Sequence, residues 1–160
     1  MDNAARKTVL RHFSYGLYVV TVAADGEEHG MTANWVTQAA FEPPMIAVAV
    51  ENLSQTIEMI RDAHHFALSV LHEGQRELAG KLGRSSTQTP GKLKGIRTKP
   101  APVTGTPVLA DCLGWVECRV VSALPAGDHT LVLGQVVGAG VENADAKPLT
   151  LQAAGFKYSG

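Results

Sequence analysis

The run Met45-Ile46-Ala47-Val48-Ala49-Val50 constrains this chain most tightly. Its length and β-branching are those of a buried strand, and it is too short to stand as a helix. Glu42-Pro43-Pro44 punctuates it on one side, because proline fixes φ and removes a ladder donor. On the other side Asn52 and Ser54, both good N-cap residues, precede Thr56-Ile57-Glu58-Met59-Ile60-Arg61, which reads as a short helix. A strand feeding a capped helix start presents free N–H groups and a positive dipole end, which suits a phosphate. Just upstream, Thr32, Asn34, Thr37 and Gln38 lie among apolar neighbours that do not need them for strand stability. A polar ligand is the expected reason for them.

Strand-like runs recur. Leu17 to Ala23 reads as a strand, Ala24-Asp25-Gly26-Glu27 supplies hairpin chemistry, and the chain returns through His29-Gly30-Met31-Thr32. Phe66 to Leu71 is a further strand. Val116, Cys118 and Val120 alternate with Glu117 and Arg119, the pattern of a half-buried strand. Leu131 to Val137, entered through the Gly127-Asp128 turn, is apolar on both faces and is expected at the centre of the sheet. Helical pieces are short: Ala4 to Phe13, the piece after Ser54, and Gln75 to Leu82, which Gly83 stops. From Gly83 to Pro107 periodicity disappears, so a long loop is expected where about 4 to 6 residues are usual. Strands outnumber helices and no βαβ alternation occurs. The fold class is therefore mainly β, a small antiparallel barrel with a few short helices.

With 160 residues, 45% of them hydrophobic, the chain reads as one domain over residues 1–160. A formal net charge of -1 with scattered Lys and Arg offers no basic face to nucleic acid or to an anionic membrane. Neither a signal peptide nor a run of transmembrane length is read, so a cytoplasmic location is expected. Cys112 and Cys118, roughly 20 Å apart if extended, are expected to be unpaired buried thiols. No His or Cys pair, His64-His65 included, has zinc-site spacing, and no metal is expected. Neither a nucleophile elbow nor a GxGxxG element is present, which argues against a serine hydrolase and a Rossmann nicotinamide domain.

The ordered set TANWVTQAAFEPPMIAVAV, NLSQTIEMI and Gly127-Asp128-His129-Thr130-Leu131 resembles the flavin reductase family of FMN-binding split barrels, and its flavoredoxin-like branch in particular. The resemblance runs from Phe13 to Gly160 and includes the aromatic tail Gly155-Phe156-Lys157-Tyr158-Ser159-Gly160. It implies an antiparallel split β-barrel holding FMN in a cleft at a homodimer interface. The implied activity is an NAD(P)H:flavin oxidoreductase, with NADH or NADPH as transient donor and FAD as a possible alternative flavin. Reduced flavin would pass on to free flavin, to oxygen or to a partner monooxygenase.

By the same resemblance, Thr32-Ala33-Asn34-Trp35 runs along the flavin, Thr37 and Gln38 lie near the ribityl chain and phosphate, and Asn52, Ser54 and Thr56 complete the phosphate site. Taken singly, these hydroxyls serve equally well as caps and strand formers. Trp35 is either a wall for the ring or a core aromatic. His129 is implied to reach the flavin and nicotinamide region as the catalytic residue, against a reading as an exposed turn histidine. Ser85 and Lys92 are the loop residues first to be tested for meeting the FMN phosphate or the donor, with Arg84, Ser86 and Lys94 beside them, against the reading, favoured for any one of them, of a solvated loop. Phe156 and Tyr158 are read as covering the flavin or the dimer seam, or as simple tail docking. Two rival functions stay open: a flavoredoxin-type electron carrier without an NAD(P)H site, and a non-catalytic ligand-binding module.

Overall fold

Asp25 and Gly26 take positive φ, 50° and 80°, the left-handed turn whose twist matches that of paired strands. They join β1 (Tyr18–Ala24) to β2 (Glu27–Ala33), in register from Tyr18↔Ala33 to Ala24↔Glu27. The structure, a computed structural model, describes residues 1–158; Ser159 and Gly160, the end of the aromatic tail, lie outside the described residues. An N-terminal helix α1 (Asn3–Arg11) is capped by the Asp2 carboxylate. After β2 come β3 (Val36–Ala40), β4 (Met45–Glu51), α2 (Gln55–Ala63), β5 (His65–Val70) and α3 (Arg76–Leu82). The chain closes with β6 (Thr98–Pro100), β7 (Pro107–Leu109), the long hairpin β8 (Gly114–Ala126) and β9 (His129–Val141), and α4 (Leu151–Ala154).

Seven strands form one antiparallel sheet in the order β2-β1-β5-β8-β9-β4-β3, and β6 pairs with β7 separately. The mainly β reading with few short helices is therefore the observed architecture. Alternation along β1 and β5 sends side chains into two cores. Val19, Ala67, Leu82, Val108 and Trp115 pack on one face. Val20, Val22, Val48, Ile57, Phe66 and Val132 pack on the other, under α2. Cys112 and Cys118 are free and buried. Among the described residues no helix is long and apolar enough to cross a membrane.

Two sequence expectations need correction. Val116, Cys118 and Val120 do face the second core, but Glu117 on the opposite side is fully buried rather than solvated. The turn after Ala101 covers it, and its carboxylate accepts from Val103 N, Thr104 N and Thr104 Oγ1. Gly138 stands opposite, and a side chain there would overlap that carboxylate. The segment from Gly83 to Pro107 is not a bare loop, since it contains β6 and buries Lys92, Leu93, Ala101 and Thr106. As expected, β9 lies inside the sheet between β8 and β4, with Val132 inaccessible on one face and Leu131 37% exposed on the other.

Candidate functional site

Two adjoining cavities lie where β2, β4, α2 and α3 meet. One has a volume of about 320 Å³ and the other about 430 Å³, and Met31, Glu51, Gly83 and Arg84 border both. Each is within the size range of small-molecule sites, about 300–1,000 Å³. Together they make one cleft with a predominantly apolar end and a polar end.

The apolar end is built on the exit of β2. Thr32, Ala33, Asn34 and Trp35 all line it. Thr32 Oγ1 donates to Ala79 O at 2.7 Å, docking the strand on α3. The face of α3 turned to the cavity is Ala79, Gly80 and, just past its end, Gly83, whose small size leaves the space open. Trp35 stands against His129, ring centroids 4.7 Å apart, and against Tyr158 at 5.3 Å. Its indole Nε1 is buried and has no partner among the described residues.

His129 is the first residue of β9, held at the tip of the β8–β9 hairpin, and it is buried. Its Nδ1 is 2.7 Å from Asp128 Oδ1 and its Nε2 is 3.1 Å from Tyr158 Oη. The hydrogen bond to His129, reinforced by attraction between the two groups, holds the Asp128 carboxyl below its usual range. An ionised Asp128 only accepts, so Nδ1 carries a proton toward it, while Nε2 and the Tyr158 hydroxyl face each other. Burial, then the Glu51 and Asp128 charges, push the Tyr158 hydroxyl up, which keeps it a donor.

The polar end gathers at the start of α2. Ser54 caps the helix, its Oγ accepting from Ile57 N at 3.3 Å and donating to Glu51 O at 2.7 Å. Thr56 lines the same cavity, and its Oγ1 is buried with no hydrogen-bond partner among the described residues. Ser85 and Lys92 approach from the opposite loop. Ser85 Oγ bonds Thr87 Oγ1 at 2.8 Å. Lys92 is buried, its Nζ donating to Leu82 O at 3.0 Å and to Arg84 O at 2.9 Å, and burial lowers its pKa. It ties the loop to the end of α3 and brings a cation beneath the cavity, while Arg84 borders both cavities from the loop.

Of the sequence-selected residues, the cleft brings together Thr32, Ala33, Asn34, Trp35, Ser54, Thr56, Ser85, Lys92 and His129. Asn52 does not border either cavity. Its Nδ2 donates to Gly127 O at 3.0 Å, its Oδ1 accepts from Thr130 Oγ1 at 2.7 Å, and its backbone N–H donates to Asp128 O at 2.9 Å. It braces the turn that carries His129. Thr37 and Gln38 are exposed on the edge strand β3, outside the cleft of a single chain. Sequence reasoning missed Glu51 at the junction and the small face of α3, although the spacing Ala79-Gly80 then Gly83 on a short helix signals room for a ligand. Among the described residues no group of three or more His, Cys, Asp or Glu comes together as a metal site.

The unpartnered Thr56 hydroxyl, the free N–H groups at the α2 start and the unpartnered indole of Trp35 fit a ligand with a phosphate at one end and a planar polar ring at the other. Comparison with known proteins points the same way. A family model described as a flavin reductase like domain matches residues 10–160. The chain is 34% identical over 139 residues to the reductase component of the 4-nitrophenol 4-monooxygenase/4-nitrocatechol 2-monooxygenase of Rhodococcus opacus, covering 87% of this chain and 72% of that one. It is 32% identical over 132 residues to the flavin reductase (NADH) of Kitasatospora aureofaciens, covering 82% and 68%. The solved NADH:FAD oxidoreductase SgcE6 of Streptomyces globisporus, in complex with NAD and FAD fragments, superposes with a TM-score of 0.85 at 26% identity, covering 99% of this chain and 93% of that one.

Proposed function

This chain belongs to the flavin reductase family, whose model spans residues 10–160, and on that premise we propose that it is an NAD(P)H:flavin oxidoreductase using FMN, with FAD as an alternative flavin. The observation that carries the reading is the continuity of the two cavities, an aromatic-walled end at His129 running into a hydroxyl-rich end at the α2 start. When bound, the flavin supplies hydride acceptance at N5 and onward electron release.

The chain's own residues bind and orient. Ser54, Thr56 and the N–H groups at the start of α2 would hold the phosphate, with Ser85 and Lys92 closing the loop over it. Thr32 to Trp35 would flank the ring, Trp35 offering its free Nε1–H. His129, fixed by Asp128 and by the Asn52 brace, would orient the donor beside the ring; hydride transfer needs positioning before it needs an acid or base.

The same reading takes residues 1–160 as a single split-barrel domain that works as a cytoplasmic homodimer. Supporting this, Leu124 and Leu131, paired across β8 and β9, and Phe41 are apolar yet exposed in the single chain, and the exposed Thr37 and Gln38 on β3 are where a second copy would restore a flavin contact. Delivery of reduced flavin to a monooxygenase component follows from the Rhodococcus relative, itself named as such a reductase component. One observation bears on the electron-carrier alternative: in the single chain the Tyr158 hydroxyl, 3.1 Å away, already occupies His129 Nε2.

The deciding experiment is an anaerobic absorbance spectrum of the FMN-loaded protein before and after NADH and then NADPH. Bleaching of a bound flavin band is expected. A bound band that neither donor bleaches would establish the carrier, and no bound band would establish the non-catalytic module.

A further inference from the structure

Residues 156–158 form a strap between two hollows. On one side is the aromatic cavity at His129. On the other is a groove of about 470 Å³ facing the segment from Arg11 to Tyr15, and Leu151, Phe156, Lys157 and Tyr158 border both hollows. The strap hangs from a fixed point. Thr150 caps α4, Arg76 Nε donates to Ala154 O at 2.8 Å, and the chain then leaves through Gly155 in the left-handed conformation, φ 71°. Before Tyr158, the strap is held by Phe156 N donating to Leu151 O at 3.2 Å and by Arg76, 5.4 Å from the Phe156 ring.

Tyr158 takes up the polar and planar groups of the aromatic cavity. Its carbonyl accepts from Asn34 Nδ2 at 3.4 Å, its hydroxyl meets His129 Nε2 at 3.1 Å, and its ring stands 5.3 Å from that of Trp35. A nicotinamide offers the same partners a planar ring with a polar edge. Tyr158 is also the outer layer of this cluster, 43% exposed where His129 is 7% exposed.

We propose that Tyr158 is a built-in stand-in for the nicotinamide ring, occupying the donor's place against Trp35 and His129 in the resting protein and swinging about Gly155 toward the neighbouring groove when NAD(P)H docks. This rests on the flavin reductase reading. It makes Tyr158 a positioning residue that sets donor affinity, because the apparent dissociation constant rises as the open fraction of the strap falls.

The test titrates FMN-loaded wild type, Tyr158→Phe and Tyr158→Ala with the non-reducing NAD⁺ or NADP⁺, whichever the wild type binds, and follows tryptic cleavage after Lys157. Removing a hydrogen bond and an aromatic contact should tighten dinucleotide binding about tenfold in Tyr158→Ala and about threefold in Tyr158→Phe. Dinucleotide should also speed cleavage after Lys157 in the wild type. Unchanged or weaker dinucleotide binding in Tyr158→Ala, or protection of Lys157, overturns the strap. Failure of the wild type to take up FMN overturns the flavin reading itself, and FMN uptake with unaltered dinucleotide affinity overturns the strap alone.

Discussion

Asn52 and Thr130 lock the base of the histidine hairpin: the Thr130 hydroxyl donates to Asn52 Oδ1 at 2.7 Å. With the Asn52 bonds to Gly127 O and Asp128 O, this fixes the turn from which His129 projects. Asn52→Ala should therefore lower stability by about 1–2 kcal/mol. It should slow flavin reduction while leaving the FMN dissociation constant nearly unchanged. Thermal melts, stopped-flow reduction and fluorescence titration separate the three effects. A loss of FMN affinity larger than the loss of rate would put Asn52 in the phosphate site after all.

Thr56 gives a prediction with two opposite signs. A buried hydroxyl without a partner costs stability, so Thr56→Val should stabilise the flavin-free protein by about 1 kcal/mol. If that hydroxyl serves the phosphate, the same change should weaken FMN about tenfold and riboflavin hardly at all. Equal weakening of both ligands would remove Thr56 from phosphate binding.

Strands β1, β2, β4, β5, β8 and β9, the Asp25-Gly26 turn and the Ser54 cap were legible because each is determined by residues within a few positions of one another, whereas β3, β6 and β7 were not read. What the sequence hid depends on distant chain. Asn52 and Ser54 look like equivalent caps, yet only Ser54 caps α2, while Asn52 turns to Gly127, 75 positions away. Glu117 sits in an alternating strand as an outward charge should, and nothing local announces the turn that buries it. Lys92 reads as a solvated loop cation until the carbonyls of Leu82 and Arg84 close around it. His129 was legible through its motif, but its coupling to Tyr158 joins segments that only the folded tail brings together.

Glu117 should behave as the clamp of the turn after Ala101. Glu117→Gln replaces one acceptor oxygen with a donor facing the N–H groups of Val103 and Thr104, and should destabilise by about 2–3 kcal/mol. Urea melts read the loss, and amide exchange at Val103 and Thr104 should accelerate. Unaltered exchange at those two amides would show that the carboxylate does not hold the turn.

His29 sets an acid limit. It is buried with an unpartnered Nε2, and burial, then the nearby Lys92 charge, push its pKa down from 6.5 to about 4. Between those values the unfolded chain binds a proton that the folded chain does not, so stability rises with pH and falls on acidification. From about pH 7 to about pH 5 the loss from this residue should be on the order of 2 kcal/mol. His29→Gln should flatten the melting-temperature profile over that window, and an identical profile would mean that His29 is protonated in the fold.

Cys112 and Cys118 bear on how long such a protein survives in air. Burial pushes the first thiol up to about 11 and the second up to about 12, so neither holds appreciable thiolate at neutral pH. Reduced flavin that meets oxygen yields peroxide, and peroxide attacks exposed thiolates. The two sulfurs sit inside the protein, away from that by-product and held as thiols, so repeated turnover in oxygen should leave little sulfenic acid at either position.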